Sequence, residues 1–160
     1  MLFNEDRRIL IFTAVWHSDL AGRAVQGCLD DLHAAGVPES VIDVVELPGA
    51  LEMPTAAKVA AQSGRYAVIG CCGIIANGGI YHHEYVAHAV IDGLVRAGLD
   101  TGVPVLSTVL TPLRFNEHSK PDHEFFHDHL YGKGKELASA MLSIVPTLDR
   151  LSAGEPAGAV

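Results

Sequence analysis

Positive charge is scarce in this chain. Eleven Lys and Arg stand against 19 Asp and Glu, for a net charge of −8. Phosphate-backbone contacts need a basic surface, so nucleic acid is excluded as the expected partner, although a local basic spot could still hold one small phosphate. Cysteine is scarce as well. Cys28, Cys71 and Cys72 are odd in number and two are adjacent, which excludes a disulfide framework and points to reduced, buried thiols in a cytoplasmic protein. No apolar run approaches a bilayer span. Arg7-Arg8 before Ile9 to Trp16 imitates a secretory leader, but acids precede the short run and an amphipathic segment follows at once, so export is not expected. Gly70 to Gly79 matches neither GxGxxG nor the P-loop spacing, and no Ser nucleophile elbow is present. Nicotinamide, ATP and serine-hydrolase chemistry therefore lack a motif.

What is present is apolar and periodic. With 160 residues, 49% apolar and 19% charged, the chain predicts one ordered domain over 1–160, with loose ends at 1–6 and 152–160. Strands are expected over Ile9 to Val15, Val41 to Leu47, Tyr66 to Gly73 and Val105 to Leu110. Between them lie helical patterns. The first carries Leu20, Ala21, Ala24, Val25, Cys28, Leu29 and Leu32 on one face, with Ser18 or Asp19 as its cap. The second spans Ala50 to Gln62, and the third begins near His82. After the fourth strand the pattern predicts a histidine-rich helix over Asp122 to Tyr131. A break at Gly132-Lys133-Gly134 and a last helix over Lys135 to Leu148 follow. Strand and helix alternate four times, which predicts a three-layer α/β/α sandwich around a four-stranded parallel sheet, flavodoxin-like in appearance.

Ligands of such sheets bind beyond the carboxyl ends of the strands. The four ends read Trp16-His17, Pro48-Gly49-Ala50, Ile74 to Gly79 and Ser107 to Pro112, the least regular stretches in the chain. After the third strand, the glycine-rich bend and helix start offer unpaired N–H groups to an anion beside His82 and His83. An imidazole at that place suits proton transfer near neutral pH, and consecutive helical residues diverge by about 100°, so one of the two is expected to face a ligand. Trp16 is either a core aromatic or a flat wall for a heteroaromatic ring. Glu52 is either a helix-start acid or a binding carboxylate. Arg114 is the arginine nearest the fourth strand end and suits phosphate. His123 and His127 share a helix face at the spacing of a zinc pair, but no HExxH arrangement or third ligand accompanies them, and a ligand-phosphate role or a wet subunit contact beside Phe125 and Phe126 is expected ahead of a metal.

Several segments together resemble one family. They are Trp16-His17, the PGALEMP run from Pro48 to Pro54, the GGIYHHEYV run from Gly78 to Val86, Pro104 to Thr111, and Lys133-Gly134. From Ile9 to about Val145 the chain is similar to the lumazine synthases of riboflavin biosynthesis, and the GGIYxH and FFHxH details are similar to their second, decameric bacterial type. The resemblance implies a cytoplasmic transferase that forms a pentamer and a decamer. It would condense 5-amino-6-(D-ribitylamino)uracil with 3,4-dihydroxy-2-butanone 4-phosphate without metal or organic cofactor. Carried over by motif, His82 is the proton-transfer residue. Trp16 stands where a Phe usually stacks on the pyrimidine. Ala50, Leu51 and Glu52 match the segment binding uracil and ribityl groups, and Ile74, Ile75 and Ala76 match backbone contacts to the ring. Ser107 falls where an aromatic is usual. Gly79 and Ile80 match the phosphate cradle, in a segment where Asn77-Gly78-Gly79-Ile80 lacks the usual threonine hydroxyl. The usual phosphate-binding arginine has no counterpart, and His127, then Arg114, is the expected substitute. A flavin or lumazine store or sensor on the same fold is the alternative function, and the segment before the first strand is expected to touch a neighbouring subunit.

Overall fold

Four apolar runs bounded by polar or glycine-bearing turns become four strands, and the periodic segments between them become helices. The computed structural model describes residues 1–154. Its order is β1 (Arg8–Ala14), α1 (Ser18–Ala34), β2 (Ile42–Leu47), α2 (Met53–Gln62), β3 (Tyr66–Ile74), α3 (His83–Thr101), β4 (Val105–Leu110) and α4 (Lys120–Ser152). Neighbouring strands are parallel throughout, in the spatial order β2-β1-β3-β4. Helices α1 and α4 cover one face and α2 and α3 the other, which is the flavodoxin-like α/β/α sandwich the alternation predicts. Among the described residues, no helix is long and apolar enough to cross a membrane.

The two central strands explain their own composition. Successive side chains of β1 point to opposite faces, so Ile9 and Ile11 enter the α1/α4 layer while Leu10, Phe12 and Ala14 enter the α2/α3 layer. β3 divides likewise, with Val68 and Cys72 on one side and Ile69 and Cys71 on the other. The three thiols are free and buried. Burial alone pushes Cys71 up to about 12, and burial with the nearby Asp31 charge does the same to Cys28. At the amino end of the sheet, Arg8 Nε and Nη2 donate to the two Asp43 oxygens at 2.8 and 2.6 Å, and the Tyr66 hydroxyl donates to Asp43 at 3.0 Å, tying three strands together.

The structure corrects four expectations. The break at Gly132-Lys133-Gly134 does not occur: α4 runs unbroken from Lys120 to Ser152. A Cβ on Gly134 would stand 2.0 Å from the Ala24 carbonyl oxygen, and one on Gly27 would stand 2.1 Å from that of Tyr131. These glycines are there because the α1 and α4 backbones touch, and packing outweighs their poor helix propensity. Residues 1–6 are not loose. Phe3 is fully buried in the α1/α4 core and Asn4 pairs with Arg7, so one aromatic anchor overrides the polar residues around it. Helix α1 is capped by neither Ser18 nor Asp19 but by the backbone carbonyl of His17. Ala50–Glu52 forms a tight 3₁₀ turn before α2 rather than its first turn. Of the expected tail, Ser152 closes α4, and residues 155–160 lie outside the described residues.

Candidate functional site

All strands point one way, so the connections leaving their carboxyl ends gather along a single edge. After β1 the chain turns through His17, whose φ of 54° is the one positive value on a non-glycine residue among those described. Such a conformation costs on the order of 1–3 kcal/mol and needs surrounding contacts to hold it. They are present. The His17 carbonyl accepts from Leu20 and Ala21 at 3.0 and 2.9 Å, its Nε2 lies 3.5 Å from Glu117, and its ring meets Phe115 edge-on at 5.8 Å. Phe115 is buried, so the loop between β4 and α4 is pinned against the end of β1. The neighbouring Trp16 turns outward and is 72% exposed, so it is not a core aromatic.

After β2, Gly49 permits a close approach. A Cβ there would come 3.3 Å from a Glu52 carboxylate oxygen and 3.9 Å from the Trp16 indole. The Glu52 carboxylate and the Trp16 indole thus both lie within 4 Å of this one backbone position. Leu51 between them is exposed.

After β3, Ile74 and Ile75 bury their side chains in opposite layers, and the Ile75 N–H donates to the Leu110 carbonyl at 2.9 Å. Ile74 can therefore offer a ligand backbone atoms only. Asn77 Oδ1 accepts the Gly79 N–H at 2.9 Å, and Gly79 sits at φ 74°, where a side chain would be strained. This turn delivers His82 to the cap position of α3.

Trp16, Ile75, Ala76, Ile80 and His82 all line one cavity of about 430 Å³, completed by Tyr81, His83, Val86 and Glu117. A second cavity, of about 510 Å³, is lined by Asn77, Gly79, Arg114, Asn116 and His118. Gly78 and Glu117 border both, so the two form adjoining halves of one depression. The first half is aromatic and apolar with imidazoles at its rim. The second sets the Arg114 guanidinium and the Asn77–Gly79 turn beside the carboxylates of Glu117 and Asp122. At the rim Glu84 reaches both imidazoles, with His82 Nδ1 at 3.3 Å and His83 Nδ1 at 3.1 Å. Its own backbone N–H, and next the hydrogen bond from His82, hold the Glu84 carboxyl below its ordinary value.

Ala50, Leu51, Glu52 and Ile74 line neither cavity although the first three follow Gly49 beside Trp16, and Ser107 and His127 lie on other elements of the chain. Ser107 lies exposed on edge strand β4, its Oγ accepting from Val109 at 3.2 Å. His127 lies on α4 beside Asp128, and its carbonyl accepts from Arg23 of α1 at 3.4 Å. His123 pairs with Asp19, whose carboxyl partial burial would raise but His123 holds low, and it stacks near His127 at 6.4 Å between ring centres. Among the described residues, no three His, Cys, Asp or Glu side chains group to hold a metal ion.

Sequence reasoning overlooked Tyr81, Glu117 and the depth to which His83 takes part. Both imidazoles border the cavity, because the chain turns between them at the helix cap instead of already being helical there. Glu117 carries no local signal at all, since it reaches the site only through the fold of the loop around Phe115.

Comparison with known proteins extends over nearly the whole chain. A family profile described as 6,7-dimethyl-8-ribityllumazine synthase matches residues 6–149. The chain is 43% identical over 148 residues to the 6,7-dimethyl-8-ribityllumazine synthase of Rhodococcus erythropolis, covering 92% of this chain and 94% of that one. It is 40% identical over 156 residues to the 6,7-dimethyl-8-ribityllumazine synthase 2 of Pseudomonas syringae pv. tomato, with coverage of 95% and 91%. It is 36% identical over 156 residues to the 6,7-dimethyl-8-ribityllumazine synthase 2 of Bradyrhizobium diazoefficiens, with coverage of 98% and 93%.

Proposed function

The chain belongs to the 6,7-dimethyl-8-ribityllumazine synthase family, and on that premise we propose that the depression at the sheet's carboxyl edge is its active site, with His82 as the proton-transfer residue. The protein is a transferase of riboflavin biosynthesis. It condenses 5-amino-6-(D-ribitylamino)uracil with 3,4-dihydroxy-2-butanone 4-phosphate to 6,7-dimethyl-8-ribityllumazine, releasing phosphate and water. The observation that carries the assignment of the site is convergence: Trp16, Ile75, Ala76, Ile80 and His82, scattered over 67 positions of sequence, border one cavity.

The chemistry distributes over the two halves. The pyrimidine ring stacks on Trp16, with the Glu52 carboxylate beside it to accept ring or ribityl hydrogens and the Ala50–Leu51 turn alongside. The butanone phosphate lies toward Gly79, Ile80 and Arg114. The aromatic amine attacks the ketone, water leaves to give the imine, phosphate is eliminated and the ring closes with loss of a second water. Each stage moves a proton between substrate atoms, and a neutral imidazole at the rim can take and return it. Holding two substrates in register supplies much of the remaining acceleration. The Gly79 N–H must exchange Asn77 for phosphate if it is to serve the cradle.

The oligomer is proposed as a pentamer that pairs into a decamer, in the cytoplasm. Trp16, Ile80 and Leu113 leave large apolar surface at the sheet edge, which suits cover by a second copy of the chain. Ser107 and His127, outside the depression of their own chain, would then reach the site of a neighbour. No observation favours the storage or sensor alternative.

The test mixes the purified protein with both substrates and follows lumazine absorbance. The wild-type protein is expected to form product well above background, and His82→Ala to lose roughly a hundredfold in kcat. Background formation alone by the wild-type protein overturns the enzymatic reading, and full activity in His82→Ala removes His82 from its role.

A further inference from the structure

Three consecutive residues at the start of α3 are two imidazoles and a carboxylate. A helix-start glutamate needs no partner to be favourable, because the dipole and the free N–H groups of the first turn attract it. Glu84 does more than this. It lies between both imidazoles, one oxygen 3.3 Å from His82 Nδ1 and the other 3.1 Å from His83 Nδ1. Tyr85 stacks on the His82 ring with centroids 5.0 Å apart and planes 26° from parallel, so the ring is held in plane as well as at one nitrogen. His82 itself makes no side-chain cap to the helix, which leaves its ring to these two neighbours.

We propose that Glu84 is a positioning residue for His82: its carboxylate accepts the Nδ1–H and so leaves Nε2 as the nitrogen that exchanges protons with substrate. An ionised carboxylate can only accept a hydrogen bond, so the neutral imidazole beside it must carry its proton on Nδ1. Nε2 is then unprotonated and takes the proton that the amine adduct gives up. The imidazolium formed has N–H groups at both nitrogens, with its charge next to Glu84. The same proton passes from Nε2 to the departing oxygen, and the starting tautomer returns with no net change in the protein. The carboxylate keeps its proton count throughout. This inference rests on the reading of His82 as the proton-transfer residue.

The test compares Glu84→Gln, Glu84→Asp and His82→Ala with the wild-type enzyme. It measures kcat and both KM values, together with the nitrogen chemical shifts of the ¹⁵N-labelled imidazoles, the His82 signals being those missing in His82→Ala. Wild-type His82 is expected to show a protonated Nδ1 in its neutral form. Glu84→Gln is expected to lose roughly tenfold or more in kcat with both KM values within about twofold, and to lose that tautomer preference, since an amide can offer either its oxygen or its nitrogen. Glu84→Asp, which retains the charge with a shorter reach, should recover part of the kcat. Wild-type His82 protonated on Nε2 overturns the proposal. So does an unchanged kcat in Glu84→Gln while His82→Ala is inactive, which leaves the role of His82 standing. Full activity in His82→Ala instead removes the underlying reading and the proposal with it. If Glu84→Gln fails to fold, the wild-type nitrogen shifts and the Glu84→Asp kinetics decide.

Discussion

Replacing Gly134 by alanine sets two effects of opposite sign against each other, and the structure says which prevails. In a helix interior alanine is favoured over glycine by about 1 kcal/mol. Position 134 lies inside the 33-residue helix α4, so propensity alone predicts stabilisation. The new Cβ, however, would stand 2.0 Å from the Ala24 carbonyl oxygen, 2.8 Å from its carbon and 2.9 Å from the Cys28 nitrogen. All three are backbone atoms of α1, and none can rotate away. The helices must separate by about an ångström along a seam that buries Leu130, Leu137, Ala138 and Cys28. Overpacking of this kind costs about 1–3 kcal/mol or more, and contact with rigid backbone belongs at the upper end. The net expectation is a loss of roughly 2 kcal/mol, a fall in Tm of about 4–8 °C for a chain of this length. Gly132 provides the control. It lies in the same helix with nothing within 4 Å of its would-be Cβ, so Gly132→Ala should raise Tm by about 2–4 °C. Calorimetric scans of both variants at one protein concentration check the pair, the fixed concentration removing any mass-action shift from assembly. Gly134→Ala as stable as wild type, or both variants moving in the same direction, would refute the claim that close packing dictates glycine at 134.

Gly49→Ala should raise KM for the ribitylaminouracil several-fold with little change in Tm, because its Cβ at 3.3 Å would displace the Glu52 carboxylate by a few tenths of an ångström while meeting the Trp16 indole at an ordinary 3.9 Å; steady-state kinetics varying each substrate in turn would separate this from any effect on the butanone phosphate. Asp43→Asn should destabilise the protein at neutral pH but progressively less in acid. The Arg8 hydrogen bond, chiefly, holds the Asp43 carboxyl below its ordinary 3.8, so its stabilisation is complete above that value and is lost as pH falls through the lower folded one. Thermal scans of both proteins from pH 7 to 3 should show the Tm gap closing below about pH 4, and a gap of constant size contradicts the linkage.

Much of the fold was legible because it depends on local patterning. β1 and β3 read as continuous apolar runs since both faces of each are covered, and α1 read as amphipathic since one stripe meets the sheet. The strand ends stand out as irregular in the sequence, and Trp16, Gly78, Ile80 and His82 from those ends border one cavity. Such patterning is a property of neighbours in sequence, which a single chain displays directly. Tertiary structure alone decided the rest. Gly134 read as a helix break because propensity sees no partner, whereas Ala24, 110 positions away, requires the missing side chain. Phe3 read as part of a loose end because its pocket is assembled from distant residues of the α1/α4 layer. Glu117 joins the cavity only because buried Phe115 and the left-handed His17 draw its loop onto β1. The contacts of Glu84 with His82 and His83 carry no sequence signal, since they depend on rotamers at a helix cap. Periodicity records which way a side chain faces; only the folded chain records what it meets there.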